Sequence, residues 1–291
     1  MNTNRKTYIK SKDELTQFER AIINAHPEGL QSAIVEGKRD IGKSMFCYIT
    51  TTRIFQYLEG LPIDDAYIRA LDHFLWTIPQ MFKVCDDVLS NTDYKDIMKY
   101  DAEHKYRILV SDDVGTHMGK YRFYVDVASV DELKGRIDTI RDVTNGLLMT
   151  APAVSGLLSF LREYPDNRII KITYDSHGDP KYSRIIEIRD KPKKWARYGR
   201  LAFPPIKMSI FVDTWAYAEY KIRKRKAIND LFVRNKDKEK ENIVKAFRVI
   251  RKIQPNLTDN EIIDKLSLSE EIKNIFKINN EELIDEAKDI S

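Results

Sequence analysis

Cysteine is scarce in this chain. Among 291 residues only Cys47 and Cys85 are present, and they form no C-x-x-C pair. Two isolated thiols cannot build a disulfide framework, and they lack the ligand spacing of a zinc site. A signal-peptide pattern is also missing from the N-terminal sequence. These absences predict a cytoplasmic protein whose two cysteines are reduced and lie in the core.

Long apolar runs and an excess of one charge are lacking as well. The longest apolar stretch, residues 147–161, is interrupted by Pro152 and by polar residues, so it is too short to cross a bilayer. Charged residues make up 32% of the chain but nearly cancel, to a formal net charge of +4. We therefore expect no membrane partner, and we expect any attraction to nucleic acid to come from local clusters of basic residues.

What the sequence does contain is a glycine-rich motif. Residues 37–44 read G-K-R-D-I-G-K-S and match the phosphate-binding pattern G-x-x-x-x-G-K-S, known as Walker A. Its glycines let the backbone curl so that N–H groups point at a phosphate, and the helix that follows presents its positive end to the same anion. The pattern needs a buried strand before it and a helix after it. Residues 32–36 and 45–58 have the apolar spacing of these two elements.

The motif assigns a nucleotide site to one loop. Lys43 would add positive charge beside the β- and γ-phosphates of ATP, which makes it a catalytic residue, and Ser44 would ligate Mg²⁺. The cofactors predicted from the motif are therefore ATP and Mg²⁺. The predicted nucleotide-binding residues are the eight of the motif: Gly37, Lys38, Arg39, Asp40, Ile41, Gly42, Lys43 and Ser44.

A hydrophobic strand that ends in two carboxylates is the second decisive feature. Residues 106–111 are mostly apolar and are followed by Asp112 and Asp113. This is the Walker B arrangement, in which the first acid holds the metal and a neighbouring acid orients or deprotonates the attacking water. We assign Asp112 to the metal and Asp113 to catalysis. The alternative is an Asx turn at the end of a strand, which aspartate pairs commonly form.

The remaining apolar periodicity predicts alternating helices and strands. We expect an N-terminal helix at residues 13–25, capped by Ser11, and a hairpin of strands at 168–174 and 183–189. Further helices are predicted at residues 63–73, 78–89, 130–143, 154–163 and 214–233, and further strands at 74–77, 146–150 and 207–211. This order predicts an α/β fold with a mostly parallel sheet flanked by helices and extended by the hairpin.

Two clusters of basic residues lie in the second half of the chain. In residues 189–200 lysines and arginines alternate with aromatic rings, a mixture that suits the phosphates and bases of nucleic acid. The predicted contacts are Lys191, Lys193, Lys194, Trp195, Arg197 and Arg200. The alternative is a solvated loop with its rings buried beneath it. The run at residues 221–226 is a solvated helix face, a nucleic-acid contact, or the source of an arginine for a neighbouring subunit's nucleotide.

The chain divides by pattern into three parts. Residues 1–30 are a helical segment, residues 31–234 are the domain that carries both motifs, and residues 235–291 are a C-terminal helical segment. The C-terminal segment has three short helical signals, which would suit a helix-turn-helix. Its third helix begins with Glu270 and Glu271, where base-reading residues should enter a groove, so a packing or protein-binding bundle is the alternative.

The order of these features resembles a known superfamily. A Walker A loop, a helix-strand-helix unit, a Walker B strand and then a strand ending in Thr150 are similar to the P-loop ATPases with an additional strand, the AAA+ and RecA-like proteins. Residues 111–115, S-D-D-V-G, resemble the Walker B of the DnaC and IstB helicase-loader branch. Compact ATPases of archaeal viruses and plasmids are similar in layout. The resemblance implies that Thr150 senses the γ-phosphate, whereas the alternative is that Thr150 or Ser155 caps the next helix.

The sequence departs from that pattern in two places. Many AAA+ members have glutamate after the metal-binding aspartate, where this chain has Asp113, so slow water activation is expected. No segment matches an arginine-finger or sensor-two signature. Arg141, Arg162 and Arg223 are the candidates for an arginine that acts on a neighbouring subunit's nucleotide.

Together these features favour a Mg²⁺-dependent ATPase that acts on DNA, through helicase loading, remodelling or replication of a mobile element. The expected partners are ATP, DNA and a helicase or other replication protein, with a homo-oligomer as the working form. A small-molecule kinase, which shares the phosphate loop, is one alternative of another class. A nucleotide-dependent regulatory module with little turnover is the other.

Overall fold

The computed structural model describes residues 9–90, 103–114, 127–164, 167–190 and 199–230. The chain divides into two compact units, Met1–Arg225 and Lys226–Ser291. All side-chain contacts given below belong to the first unit. The predicted C-terminal helices, and the question of a helix-turn-helix there, lie outside the described residues. Within the described ranges, no helix has the length and apolar character needed to cross a membrane.

A mixed sheet forms the centre of the first unit. Its strand order is β2-β3-β4-β1-β5-β6-β7 across the described residues. The strands are β1 (Gln31–Glu36), β2 (Phe74–Leu75), β3 (Leu109–Ser111), β4 (Gly146–Ala151), β5 (Asn167–Tyr174), β6 (Ser183–Arg189) and β7 (Ile206–Ser209). The first five strands run parallel, and β6 and β7 are antiparallel additions. The α/β fold class and the hairpin are thus confirmed, with the hairpin continuous with the main sheet.

Helices cover the sheet. The α-helices are α1 (Gln17–Asn24), α2 (Lys43–Glu59), α3 (Ile63–Leu71), α4 (Ile78–Leu89), α5 (Val127–Asp138), α6 (Ile140–Val143), α7 (Ser159–Glu163) and α8, which occupies residues 214–230 up to the end of the described range. Short 3₁₀ turns occupy Lys12–Glu14 and Val154–Gly156. α4 begins at Ile78, as predicted, with Pro79 in the first turn, where its missing N–H costs nothing. The structure adds a capping box between Thr77 and Gln80 at this start.

Burial explains which strands lie at the centre. All six residues of β4 and the four middle residues of β1 are buried, as expected for parallel strands with helices on both faces. In β6 burial alternates along the strand, so one face is covered and the other is partly open. The carboxyl ends of β1, β3 and β4 meet at one edge of the sheet because these strands are parallel neighbours. The motif residues follow those ends.

Three predicted helices differ from the structure, and capping explains the first. The helix expected at residues 13–25 with Ser11 as its cap is wrong at its start. Ser11 caps only the 3₁₀ turn, and α1 begins after Thr16, whose hydroxyl accepts from the Glu19 N–H while the Glu19 carboxylate accepts from the Thr16 N–H. A reciprocal capping box satisfies two helix N–H groups that Ser11 cannot reach.

The other two helices are broken. The helix expected at residues 130–143 is interrupted at Thr139, which separates α5 from α6 and whose hydroxyl bonds back to the Gly135 carbonyl. The helix expected at residues 154–163 is a 3₁₀ turn followed by the five-residue α7. The N-cap residues of the 3₁₀ turn and of α7 are Ala153 and Leu158, which make no side-chain cap bond, and the Val154 N–H donates to Glu36 Oε2 at 3.4 Å, so the capping alternative for Thr150 and Ser155 is wrong.

Both cysteines are buried and free, as predicted.

His73 is a buried titratable residue that packs against the rings of Phe55 and Tyr106, at ring-centroid distances of 4.5 and 5.4 Å. Its Nδ1 hydrogen-bonds the Ile108 carbonyl oxygen at 3.0 Å. Since a carbonyl only accepts, Nδ1 carries the proton. Burial, with a smaller effect of Arg69, lowers the pKa of His73 to about 4.

This buried histidine predicts acid sensitivity. An unfolded histidine binds a proton near pH 6.5, whereas folded His73 stays neutral until about pH 4, so stability is complete above pH 6.5 and falls as the pH drops through that window. The free energy of unfolding should fall by about 2 kcal/mol more in the wild type than in His73→Gln between pH 7.5 and pH 5. Denaturant titrations at both pH values measure this. Equal losses in the two proteins would contradict it.

Candidate functional site

The glycine-rich loop connects β1 to α2. Gly42 is the N-cap of α2 and has a φ of 103°, a left-handed backbone conformation that favours glycine. A Cβ at this position would lie 2.3 Å from Cδ1 of Ile210, so a side chain would also clash with the segment after β7. No side chain caps the first turn of α2. Its N–H groups are therefore available to an anion, as the motif requires.

Lys43 lies across the mouth of this loop. Its Nζ donates to the backbone carbonyl oxygens of Gly37 and Lys38, each at 2.9 Å. Burial lowers the pKa of Lys43, against the opposing attraction of Asp113 and Asp112. The ammonium is thus held by two carbonyls and attracted by the two carboxylates that follow β3. This is the place from which it would meet a phosphate bound in the loop.

The structure brings Ser44, Asp112 and Thr150 together. The Ser44 hydroxyl donates to Asp112 Oδ1 at 2.7 Å, and the Thr150 hydroxyl donates to the same oxygen at 2.8 Å. Thr150 in turn accepts from the Asp113 N–H at 2.7 Å. Because β4 lies between β1 and β3, Thr150 at its end reaches both aspartates. The Asp112 side chain is buried, with the residue only 1% exposed.

Asp113 differs from its neighbour in exposure and backbone. Its side chain is 49% exposed, so its carboxylate is accessible to water and substrate. Its φ of 60° lies in the left-handed region, which aspartate and asparagine tolerate better than longer side chains. The chain therefore turns sharply after β3, with Asp112 directed into the site and Asp113 at its open side.

Two residues of the site were missed by sequence reasoning. Tyr220 and Lys224, one turn apart on α8, contact the second oxygen of Asp112: the tyrosine hydroxyl donates to Oδ2 at 2.6 Å, and the lysine Nζ donates to it at 2.8 Å. Lys224 also pairs with Asp113 Oδ2 at 3.5 Å. Their only sequence signal is the i, i+4 spacing on one helix face. Nothing local links that face to a strand more than a hundred residues earlier.

The charges of this cluster stabilise one another. Burial alone raises the pKa of Asp112, but the attraction of Lys224 and the hydrogen bonds of Lys224, Tyr220 and Ser44 outweigh it, so the pKa lies below its ordinary value. Burial lowers the pKa of Lys224, and the two aspartates more than reverse this, leaving its pKa raised. An ionised carboxylate therefore lies beside an ammonium group in a mostly dehydrated site.

Arg184 on β6 supports the loop from the other side. It is 3% exposed, its Nε donates to the Ile41 carbonyl oxygen at 2.9 Å, and its guanidinium lies 4.4 Å from the centre of the Tyr174 ring. Its two other nitrogens donate to the carbonyl oxygens of residues 180, 181 and 183. One side chain thus ties the motif loop to the hairpin.

Replacing this arginine should weaken both the fold and the loop. In Arg184→Leu the buried Ile41 carbonyl oxygen and three part-buried carbonyl oxygens lose this donor, so the free energy of unfolding should fall by about 3 kcal/mol. Nucleotide binding should weaken with it, because the loop loses its anchor at Ile41. Denaturant titration and ATP binding measure the two effects. Arg20→Leu, which removes an exposed pair with Asp13, is the control and should change stability by less than about 1 kcal/mol. Equal stabilities for the two variants would contradict this role.

The oxygens of the site fit a magnesium ion. The hydroxyl of Ser44 and the carboxylate of Asp112 converge within 2.7 Å beside the loop that would hold the phosphates. Mg²⁺ prefers such hard oxygens and is usually held by one or two protein groups plus phosphate and water. In the part of the chain that the structure describes, no group of three or more histidine, cysteine, aspartate or glutamate residues converges on a metal position. A site of two protein ligands and a nucleotide is the arrangement these residues allow.

A cavity of about 450 Å³ borders the loop. It is lined by the loop itself, the end of β5 and the segment after β4: Glu36, Gly37, Lys38, Ile41, Pro152, Lys171, Ile172, Thr173 and Tyr174. Its size suits a small organic group adjacent to bound phosphates.

The other predicted contacts are placed only in part. Arg200 is exposed. The remaining predicted nucleic-acid residues, Lys191, Lys193, Lys194, Trp195 and Arg197, lie outside the described residues. Among the arginine candidates, Arg223 pairs within its own chain, with Asp72 at 2.7 Å and Glu219 at 2.8 Å. The basic run at residues 221–226 is therefore not uniformly solvated, since Arg223 and Lys224 both make ion pairs.

The fold and site together define a class of structure. The strand before the motif loop, β1, is separated by β4 from the acid-ended β3, which is the strand order of RecA-like P-loop NTPases. The hydroxyl that follows the motif lysine bonds the aspartate at the end of β3. The chain thus has the sheet and motif arrangement of that class.

The chain was compared with protein families, curated proteins and solved structures. No protein-family model matches the chain, and no curated protein matches it. Among solved structures, a KaiC-like protein from the hyperthermophilic archaeon Pyrococcus horikoshii OT3 is similar, with 69% of this chain and 94% of that one covered at 16% identity and a TM-score of 0.34. Identity and TM-score this low carry no argument about activity.

Proposed function

We propose that this protein is a Mg²⁺-dependent ATPase. The observation that carries the proposal is the 2.7 Å hydrogen bond from Ser44 to Asp112, directly beneath the glycine-rich loop. Two segments 68 residues apart in the sequence, one with the Walker A pattern and one with the Walker B arrangement, meet at hydrogen-bonding distance. An accidental match to either pattern would have no reason to place these two side chains together.

Each residue then has a distinct role. The loop N–H groups and Lys43 hold and neutralise the β- and γ-phosphates. Ser44 and Asp112 would hold Mg²⁺, which when bound would supply positive charge beside the phosphates. Asp113, exposed at the open side of the site, orients the attacking water. The Thr150 hydroxyl donates to the Asp112 carboxylate and accepts from the Asp113 N–H. Thr150 therefore fixes the position of Asp113 relative to Asp112.

The reaction is tested by phosphate release from ATP. The full chain should release inorganic phosphate in the presence of Mg²⁺ and should stop when EDTA removes the metal. Adding candidate small-molecule acceptors should yield no phosphorylated product. Phosphate appearing on an acceptor with no free phosphate would instead identify a kinase, and it would overturn the ATPase assignment.

A nucleotide-dependent regulatory module with little turnover is the second candidate. One observation favours it: Lys224 pairs with Asp112 at 2.8 Å, on the carboxylate that would serve the metal. Such a site would bind nucleotide and turn over slowly. Tight ATP binding with negligible phosphate release, including in the presence of DNA, would select this function over the first.

We further propose that the protein acts on DNA, through helicase loading, remodelling or replication of a mobile element. The support is the basic and aromatic composition of residues 189–200 together with the resemblance of residues 111–115 to the DnaC and IstB branch. A homo-oligomer and a helicase or other replication protein would be the partners. Binding to single- and double-stranded DNA should weaken steeply with salt and respond to ATP. Binding that ignores both salt and nucleotide would remove this part of the proposal.

A further inference from the structure

The carboxylate of Asp112 is fully occupied by donors from its own chain. An ionised carboxylate offers about four positions for hydrogen-bond donors. Ser44 and Thr150 use two on Oδ1, and Tyr220 and Lys224 use two on Oδ2. The first pair comes from the motif side of the site, and the second comes from α8. A metal ion that needs this carboxylate must therefore take the place of an existing contact.

Tyr220 and Lys224, the two residues of α8, differ in how easily they can move away from the Asp112 carboxylate. The Tyr220 ring is 6% exposed and packs against Phe74, Trp76 and Tyr48 at centroid distances of 5.9 to 6.3 Å. Moving it would open the aromatic cluster that holds α8. The Lys224 side chain is 23% exposed and has a long flexible stem, so its ammonium can swing into solvent while the helix stays in place.

The charge of Lys224 also makes it, and not Tyr220, the residue that a metal ion would displace. The Lys224 ammonium lies 2.8 Å from Asp112, the carboxylate that would serve the metal, and 3.5 Å from Asp113, so one positive charge already occupies this acidic pair. A Mg²⁺ ion held by Ser44 and Asp112 would share the Asp112 carboxylate with that ammonium, and two cations on one buried carboxylate repel each other. The Tyr220 hydroxyl is neutral and has no such conflict.

We propose that Lys224 is the built-in counter-ion of Asp112 and competes with Mg²⁺ for it, so that binding of the metal-nucleotide releases Lys224 from the carboxylate. The proposal rests on the proposed function, since it needs Asp112 to serve a metal. It adds that Lys224, on α8, determines how much free Mg²⁺ is needed for the metal-nucleotide to bind. Lys224 would thus regulate the site although it lies outside both sequence motifs.

The first experiment measures how nucleotide binding depends on free Mg²⁺. A fluorescent ADP analogue is titrated into the full chain over a range of Mg²⁺ concentrations. Lys224→Met removes the competing charge, so the half-saturating Mg²⁺ concentration should fall about tenfold. Lys224→Arg keeps the charge and should stay within about threefold of the wild type. Lys134→Met, on the exposed surface of α5, should change nothing. Binding of Mn²⁺ without nucleotide, followed by its EPR signal, should tighten in Lys224→Met in the same way.

A second experiment uses the wild-type protein and so does not depend on a variant that folds. Lysine acetylation by a water-soluble ester, read by mass spectrometry, reports how accessible each ammonium group is. Reactivity of Lys224 should rise several-fold when Mg²⁺ and ADP are added, because the ammonium leaves Asp112 for solvent. Lys134 serves as the internal reference.

The outcomes separate this inference from the proposed function. If the wild type binds no nucleotide with Mg²⁺, the proposed function fails and this inference fails with it. If the wild type binds, but Lys224→Met has an unchanged or raised Mg²⁺ requirement, only the inference is overturned, and a raised requirement would show that Lys224 assists the metal-nucleotide. Unchanged acetylation of Lys224 in the wild type overturns it as well.

Discussion

Replacing Lys43 by alanine is expected to lower the rate of ATP hydrolysis at least about a hundredfold and to weaken ATP binding. The ammonium of Lys43 is held by the carbonyl oxygens of Gly37 and Lys38 at the mouth of the loop, where a β- or γ-phosphate would replace them as its partner. Charge that develops on the transferred phosphoryl group would lose the cation that the motif loop supplies. Phosphate release at saturating ATP, together with ATP binding at equilibrium, measures both losses.

The control for this variant is another lysine on the same unit. Lys83→Ala removes an exposed side chain on α4 and should leave both measurements unchanged. Thermal unfolding of both variants separates a local loss from a general one. Equal hydrolysis by the wild type and Lys43→Ala would remove the assignment of residues 37–44 as a phosphate site.

The second large effect is expected at Asp113. Asp113→Asn should lower the rate of hydrolysis about a hundredfold or more while ATP binding stays within about threefold of the wild type. Asparagine tolerates the φ of 60° at this position and can still accept or donate hydrogen bonds, but it cannot take a proton from water. The variant therefore removes the charge of the side chain and leaves the turn after β3 intact.

A glutamate at the same position gives a sharper comparison. Asp113→Glu restores the carboxylate, but a longer side chain in the left-handed region costs roughly 1 kcal/mol, and it moves the charge away from the place set by Thr150. We expect only partial recovery of the rate. Hydrolysis by Asp113→Asn at the wild-type rate would contradict a role for this residue in positioning water.

The sequence was most informative where local pattern and long-range structure agree. The motif at residues 37–44 predicts a buried strand before it and a helix after it, and β1 and α2 occupy those places. The apolar run before Asp112 predicts a strand that ends at the same sheet edge. Parallel neighbours have their carboxyl ends together, so the meeting of Ser44 with Asp112 follows from the fold class.

A capping box decides two of the helix starts, those of α4 and α1. Thr77 and Gln80 form the only capping box near the start of α4, and that helix begins at the predicted residue. Near the N-terminus Ser11 and Thr16 both fit the start of a helix, and the reciprocal bonds of Thr16 with Glu19 decide in favour of the later one. The sequence pattern alone does not show which of two possible capping residues begins the helix.

The contacts of α8 with the site could not be predicted from the sequence. The pattern of Tyr220 and Lys224 is that of any amphipathic helix with one basic edge. What directs them to Asp112 is the packing of the Tyr220 ring against Phe74 and Trp76, which depends on the position of β2 beside β3. A buried carboxylate gains from every donor that reaches it, so the tertiary fold and not the local run of lysines determines where Lys224 lies.

The most direct test of the central claim is calorimetric titration of ATP into the full chain, with Mg²⁺ and with EDTA, for the wild type and Ser44→Ala. The claim predicts one binding site per chain, with a dissociation constant on the order of micromolar and an affinity that falls about tenfold or more when Mg²⁺ is removed. In Ser44→Ala the affinity should depend less on Mg²⁺ than in the wild type, because only Asp112 and the phosphates remain to hold the metal. Absence of ATP binding to the folded wild type, or binding that depends on neither Mg²⁺ nor Ser44, would contradict the claim that these residues hold a metal-nucleotide.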